Sequence, residues 1–249
     1  MFPLYDKNPT ELFPFVTLTL MFACVALWVL VQGGGFDESL LNASVCTFGA
    51  IPAEVTGTVA AGEAQVCQMG GYRWSPLLTS MFMHGGWMHL VGNMWFLWIF
   101  GNNVEDSMGH LRFLAFYIIC GLVAAGAHVF SAPGSTLPTV GASGAIGGIM
   151  GAYFLLYPRA RIVTLLVIVI YIKLIGVPAW VMLGYWFLIQ LLSSMVQGPA
   201  GGGVAFWAHI GGFLAGLLLV KVFENPQLVS AKRRGVRIPR DQIRFGGWV

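Results

Sequence analysis

Four polar side chains stand in stretches of chain that otherwise carry very few: His89, Asn93, Ser143 and His209. A hydroxyl and an imidazole are what is needed to activate a weak oxygen nucleophile. Imidazole and amide N–H groups are what is needed to hold the oxyanion that forms next. His89 and Asn93 are four positions apart, which on a helix puts them on one face, one turn from each other. Ser143 sits in GASGAIGGIMGA (141–152), after Pro138, where it is predicted to open a helix. Unpaired N–H groups and the positive end of the helix dipole gather there. His209 sits in AHIGGFLAG (208–216).

Each residue has a plainer use when taken alone. His89 and Asn93 could be interhelical hydrogen bonds, worth ~1 kcal/mol or less. Ser143 could be a helix cap, and His209 a packed or singly bonded histidine. His84, five positions before His89, is read as holding an outer loop. Polar groups at membrane depth are costly, so four of them at one depth argue jointly for an active site. All ten acidic residues lie outside the apolar stretches or at their edges. No carboxylate is therefore at hand to orient the imidazole. A Ser143–His209 dyad is predicted rather than a triad, with His209 held by packing or by another hydrogen bond. His89, Asn93 and the Ser143 N–H are the candidate oxyanion donors. Gly141–Ala145 lacks the last glycine of G-x-S-x-G and is not the strand-to-helix elbow of soluble hydrolases. No Cys/His spacing suggests zinc, and no metal or cofactor is implied.

The elements that must position these residues are helices in a bilayer. Of 249 residues, 57% are hydrophobic and 9% are charged. Soluble domains carry about 25% charged residues. A helical bundle follows, because lipid offers backbone groups no hydrogen bonds. Uncharged stretches near the spanning length of ~20 residues cover 13–32, 80–101, 113–131, 177–197 and 204–223, the last with Lys221 near its end. A shorter stretch, 143–157, is about 22 Å long as a helix, so one of its ends is recessed. The first stretch lacks a basic leader and a cleavage site, and is read as a retained helix. Residues 162–176 are apolar and β-branched but short, and contain Lys173. They are read as an inner-side connection or hairpin. Counting them as a span would put the basic tail opposite the Arg159/Arg161 turn.

The predicted architecture is thus all-α: a six-span membrane domain over 1–224 and a basic inner tail over 225–249. Loop 33–78 is outside, with Asp37, Glu38, Glu54 and Glu63 against Arg73. Loop 102–112 is inside. Trp74, Trp87, Trp180 and Trp207 are placed at the interfaces. Six of the thirteen basic residues (Lys232, Arg233, Arg234, Arg237, Arg240 and Arg244) lie in the last eighteen positions. This is the positive-inside pattern, with room for anionic lipid but no argument for nucleic acid. Cys24 and Cys120 are read as packing residues. Cys46 and Cys67 share the outer loop, and a disulfide between them is left open. Gly147 and Gly151, and Gly212 and Gly216, form two faces that allow close helix approach. If the two faces meet, His209 comes near Ser143.

The pattern resembles the rhomboid family of intramembrane serine proteases. The stretches that carry the likeness are HGGWMHLVGNMWFLWIFGNNVED (84–106), GASGAIGG (141–148), AHIGGFLAG (208–216) and the loop end YRWSPLLTSMFMH (72–84). The likeness covers about 70–225. It implies a six-helix rhomboid bundle with Ser143 as nucleophile, His209 as general base, and His89 and Asn93 as oxyanion donors. It also implies a structural role for Glu105. Two features depart from the family pattern. Its Trp-Arg pair stands here as Tyr72-Arg73-Trp74, and Gly147 occupies a position where some members place an aromatic against the catalytic histidine. The implied activity is cleavage of transmembrane substrates near the outer face of a membrane, expected to be a bacterial inner membrane. The fifth span and loop 198–203 are the expected gate. The alternative is a catalytically silent relative that binds transmembrane helices. A channel or transporter would carry charged pathway residues or paired broken helices, which this sequence lacks.

Overall fold

The computed structural model describes residues 2–58, 67–68, 73–168, 171–197, 204–236, 238 and 243. Glu63, Tyr72, loop 198–203, Arg237, Arg240 and Arg244 lie outside the described residues. The chain before the bundle's central helices forms α1 (Phe15–Leu30), α2 (Glu38–Phe48), α3 (Pro52–Thr56) and α4 (Pro76–Thr79). The bundle continues with α5 (Trp87–Met108), α6 (His110–Ser131) and α7 (Ser143–Leu156), then α8 (Ala179–Gln197), α9 (Phe206–Phe223) and α10 (Pro226–Arg233). Three of these, α6, α8 and α9, are long and apolar enough to cross a bilayer, and α1 and α7 are shorter apolar helices. Phe22, Leu30, Phe130, Met195 and Leu218 lie exposed on the bundle surface, as on a surface that faces lipid. Trp74, Trp87, Trp180 and Trp207 are exposed as well.

The second span differs from its predicted limits. It begins at Trp87 rather than 80, because Gly85 and Gly86 interrupt the helical path. It continues to Met108, so residues 102–108 are helical and not part of a loop. The side chains of Asn103, Glu105 and Asp106 look solvated in sequence but have partners elsewhere in the fold. The Asp106 carboxylate accepts from the Glu11 and Leu12 N–H groups at 3.0 and 2.7 Å. Glu105, fully buried, accepts from Val16 N–H at 2.9 Å, Thr17 N–H at 2.8 Å and the Thr17 hydroxyl at 2.6 Å. It therefore caps α1, whose own preceding residue, Pro14, offers no side-chain cap. His110 Nδ1 meets the same carboxylate at 2.6 Å. The turn from α5 into α6 is a single residue, Gly109, at φ 82°, a backbone shape suited to glycine.

The chain is mostly helical, but not all-α. Strands β1 (Phe2–Asp6), β2 (Arg161–Ile168) and β3 (Tyr171–Pro178) form an antiparallel sheet in that order. The hairpin is the 162–176 segment. Its β-branched residues suit strands, and fifteen residues are too few to cross a bilayer as a helix. β1 was not foreseen, because a five-residue strand carries little signal without its partner.

A polar cluster joins the sheet, the bundle and the tail. Asp6 Oδ2 accepts from the Tyr153 hydroxyl at 2.6 Å and from Asn103 Nδ2 at 2.7 Å. Lys232 donates to Asn103 Oδ1 at 2.7 Å and Asp106 Oδ2 at 2.8 Å. Arg233 donates to the Leu155 and Leu156 carbonyls at 2.8 and 3.0 Å, closing the C-terminal end of α7 with a cation. Leu228 and Val229 of α10 are buried, so contacts cross the predicted domain boundary at 224/225.

Burial pushes the Asp6 carboxyl up from 3.8 to about 6, against the Tyr153 hydrogen bond and the Lys232 charge, which pull it down. The folded state then holds this proton more tightly than the unfolded state. The contribution to stability is complete below the unfolded value near pH 4 and is lost as pH rises through 6. Melting curves in one detergent between pH 7 and pH 4.5 should show wild type gaining more than Asp6→Asn. The expected difference is on the order of 1–2 kcal/mol. Equal slopes for the two proteins would refute this assignment.

Candidate active site

Glycine brings the two halves of the site together. A Cβ on Gly212 would lie 1.9 Å from the Gly144 carbonyl oxygen, and one on Gly216 would lie 1.9 Å from that of Gly148. Cβ atoms on Gly147 and Gly151 would lie 3.0 and 2.2 Å from the carbonyl oxygens of His209 and Phe213. The backbones of α7 and α9 therefore touch over two turns, as small-residue faces permit. The predicted faces do engage, but in a different pairing. Gly212 and Gly216 seat on Gly144 and Gly148, while Gly147 and Gly151 seat on carbonyls of α9.

That contact sets Ser143 against His209. His209 Nε2 lies 2.8 Å from Ser143 Oγ. On the ring's other side, Nδ1 lies 2.8 Å from Gln190 Oε1 of α8. The Gln190 amide is oriented with its oxygen toward His209 and its nitrogen turned toward the Trp186 carbonyl, 3.5 Å away. A carbonyl oxygen can only accept, so Nδ1 carries the proton and Nε2 is free to accept from the serine. Trp186 lies 5.8 Å from the imidazole, tilted by 34°, and Phe206 meets it edge-on at 6.4 Å. These two rings pack the histidine. The position where some relatives of the pattern carry an aromatic, Gly147, is instead filled by the His209 carbonyl.

The corner opposite holds His89 and Asn93. His89 Nδ1 accepts from the Gly85 N–H at 3.3 Å, which leaves the proton on Nε2. A Cβ on Gly141 would lie 2.6 Å from that Nε2 and 3.5 Å from the Asn93 amide nitrogen. Both donors therefore point at the turn that delivers Ser143. Only glycine fits there, and its φ of 128° is one that other residues rarely adopt. Among the described residues, the buried Asn93 amide nitrogen has no acceptor. The first N–H groups of α7 lack intrahelical partners as well. His89, Asn93, Ser143 and His209 line one cavity of about 720 Å³, together with Trp186 and Met150. No described Asp, Glu, Lys or Arg lines it.

The chain between α1 and α5 fixes the turn before Ser143. Thr139 and Ala50 exchange two backbone hydrogen bonds at 2.9 Å, and Gly141 N–H donates to the Ser80 carbonyl at 2.9 Å. Asp37 caps α2 through the N–H groups of Ser39 and Leu40. Cys46 of α2 is joined to Cys67 by a disulfide, which settles the pairing left open above. Arg73 contacts Glu54 at 3.5 Å and the Thr47 carbonyl. His84 is buried, and Gln32 bonds to its backbone N–H and carbonyl at 2.9 and 2.8 Å; among the described residues the His84 ring nitrogens have no hydrogen-bond partner.

Two polar residues near the site escaped the sequence reading. They are Gln190, and His128, whose Nε2 lies 2.8 Å from the Thr139 hydroxyl at the cavity wall. Both stand in apolar spans, so the rule that singled out the other four applies to them too.

His89, Asn93, Ser143, Gln190 and His209 fall within 71–225, and that segment matches the family model described as the rhomboid domain. The chain belongs to the rhomboid family. Its apolar helices make it an integral membrane protein. It is similar to RHOMBOID-like protein 5 of Arabidopsis thaliana, 30% identical over 158 residues, covering 60% of this chain and 43% of that protein. It is similar to Rhomboid-like protease 5 of Toxoplasma gondii, 35% identical over 149 residues, 57% of this chain and 15% of that protein. Rhomboid protein 1, mitochondrial, of Saccharomyces cerevisiae is 28% identical over 151 residues, 57% of this chain and 40% of that protein. The matched segments cover less than half the length of these relatives.

Proposed function

We propose that this rhomboid is an intramembrane serine endopeptidase that cleaves peptide bonds in or near transmembrane segments of membrane proteins. The observation that supports this reading best is the 2.8 Å contact of His209 Nε2 with Ser143 Oγ on the wall of an open cavity. In this mechanism His209 Nε2 takes the Ser143 proton as Oγ bonds to the scissile carbonyl carbon. The oxyanion that forms is held by His89 Nε2–H, the Asn93 amide and the Ser143 N–H. Collapse expels the amine, which takes the proton from His209. A water then attacks the acyl carbon and gives a proton to His209; the Ser143 Oγ–carbon bond breaks, Oγ takes that proton back, and the acid product leaves. A helical substrate must unwind first, because its carbonyls are tied up in the i to i−4 ladder. Small and helix-breaking residues ease that step.

In the same reading the chain crosses a bacterial inner membrane six times. The spans centre on α1, α5, α6, α7, α8 and α9. The cavity opens outside and the basic tail lies inside. The substrates and the lipid bilayer are the partners. Neither metal nor cofactor takes part.

The test is labelling of the detergent-solubilised protein with a fluorophosphonate probe, alongside cleavage of a model transmembrane substrate. Wild type should label and cleave. Ser143→Ala should do neither, and His209→Ala should fall by at least ~10³-fold in both. Equal labelling of wild type and Ser143→Ala would leave a silent helix-binding relative as the better description.

A further inference from the structure

We infer that Gln190 is the positioning residue of the dyad: its side-chain oxygen selects the His209 tautomer that can accept the Ser143 proton. The inference rests on the protease reading above and adds to it a third residue, on a different helix. Three observations carry it. The Gln190 oxygen lies 2.8 Å from His209 Nδ1, on the ring atom opposite the one that faces serine. The Gln190 side chain is buried, and its amide nitrogen is turned toward the Trp186 carbonyl, one turn earlier on the same helix. No described acidic side chain lines the cavity, so no carboxylate competes for the role.

The chemistry differs from that of a carboxylate in one respect. A neutral amide oxygen accepts the Nδ1 proton and so fixes which ring nitrogen keeps its lone pair. It does not bring a full negative charge to the imidazolium that forms during attack, as an aspartate does. Gln190 therefore sets tautomer and ring orientation, while the basicity of the ring stays that of an uncharged site. Leucine at this position is close in volume but cannot accept. Nδ1 then loses its partner, and the ring is free to take the tautomer that presents N–H to the serine. Glutamate accepts as glutamine does and adds charge, which favours the protonated ring.

The experiment compares wild type, Gln190→Leu and Gln190→Glu in one detergent. It measures kcat, KM and the pH dependence of kcat for the model substrate, with a thermal midpoint for each protein. For Gln190→Leu, kcat is expected to fall roughly 10- to 100-fold with KM little changed. For Gln190→Glu, cleavage is retained and the acidic limb of the pH profile moves to higher pH. A role confined to packing would leave the position of the acidic limb the same in all three. That result, or a Leu variant matching wild type in kcat, overturns the inference while leaving the dyad in place. A wild-type protein that neither labels nor cleaves overturns the protease reading, and this inference with it.

Discussion

One added methyl group at Gly212 should silence the protein with every polar residue of the site still present. A Cβ there would lie 1.9 Å from the Gly144 carbonyl oxygen. That is more than 1 Å inside ordinary contact, and the obstacle is backbone, which cannot swing aside. Helices α7 and α9 must separate or slide. Ser143 is the neighbour of Gly144, and His209 lies one turn before Gly212, so the shift acts directly on the 2.8 Å contact between them. Misplacement by ~1 Å costs about 100-fold in rate. Gly212→Ala is therefore expected to lose at least roughly 100-fold in cleavage and in fluorophosphonate labelling. Gly126→Ala is the control, since nothing lies within 4 Å of its added methyl on α6. That variant should cleave like wild type and be up to ~1 kcal/mol more stable, by helix propensity. Full activity in Gly212→Ala would mean that the close helix contact does not set the dyad.

Glu105→Ala should produce a large loss of stability. The carboxylate is fully buried and receives two N–H groups and one hydroxyl from the first turn of α1. Removing it orphans buried donors in a place water reaches poorly. It also removes the charge that faces His110. Orphaning charge-bonded groups of this kind costs about 3–5 kcal/mol. That corresponds to a drop of roughly 10 °C in thermal midpoint for a chain of this size. Glu105→Gln keeps two acceptor lone pairs and should lose about half as much. Neither change touches the cavity, so cleavage well below the midpoint should stay close to wild type. A midpoint within 2 °C of wild type for Glu105→Ala, on the same scale, would show that α1 finds its cap elsewhere.

The site was more legible than the fold around it, for a physical reason. A bilayer makes each polar side chain costly, so His89, Asn93, Ser143 and His209 stand out by type alone. Gln190 and His128 carry the same signal, yet the hydrogen bond expected at His209 could be given to no named residue until the helices were in place. The glycine faces could be read, but not their partners, because GxxxG marks a surface without naming what lies on it. Asn103, Glu105 and Asp106 were read as a loop because their partners, Asp6, the Glu11–Thr17 segment and Lys232, are distant in sequence. Polar residues satisfied at long range look solvated until the fold is known. β-branching and length left 162–176 as a connection or a hairpin, and the structure shows the hairpin, whereas β1 depends on a partner about 160 positions away.

That last pairing constrains how the chain is threaded. Phe2 pairs with Leu165 and Asp6 with Ile162, so both ends of the intervening chain lie on one side of the bilayer. The number of crossings between them must then be even. The same parity binds the stretch from Asp106 to Lys232 and the stretch from Leu156 to Arg233, each closed by a side-chain contact. The six-span topology proposed above, with four, four and two crossings, satisfies all three closures. Any topology that inserts or deletes a single crossing inside one of these stretches pulls a bonded pair to opposite faces of the membrane.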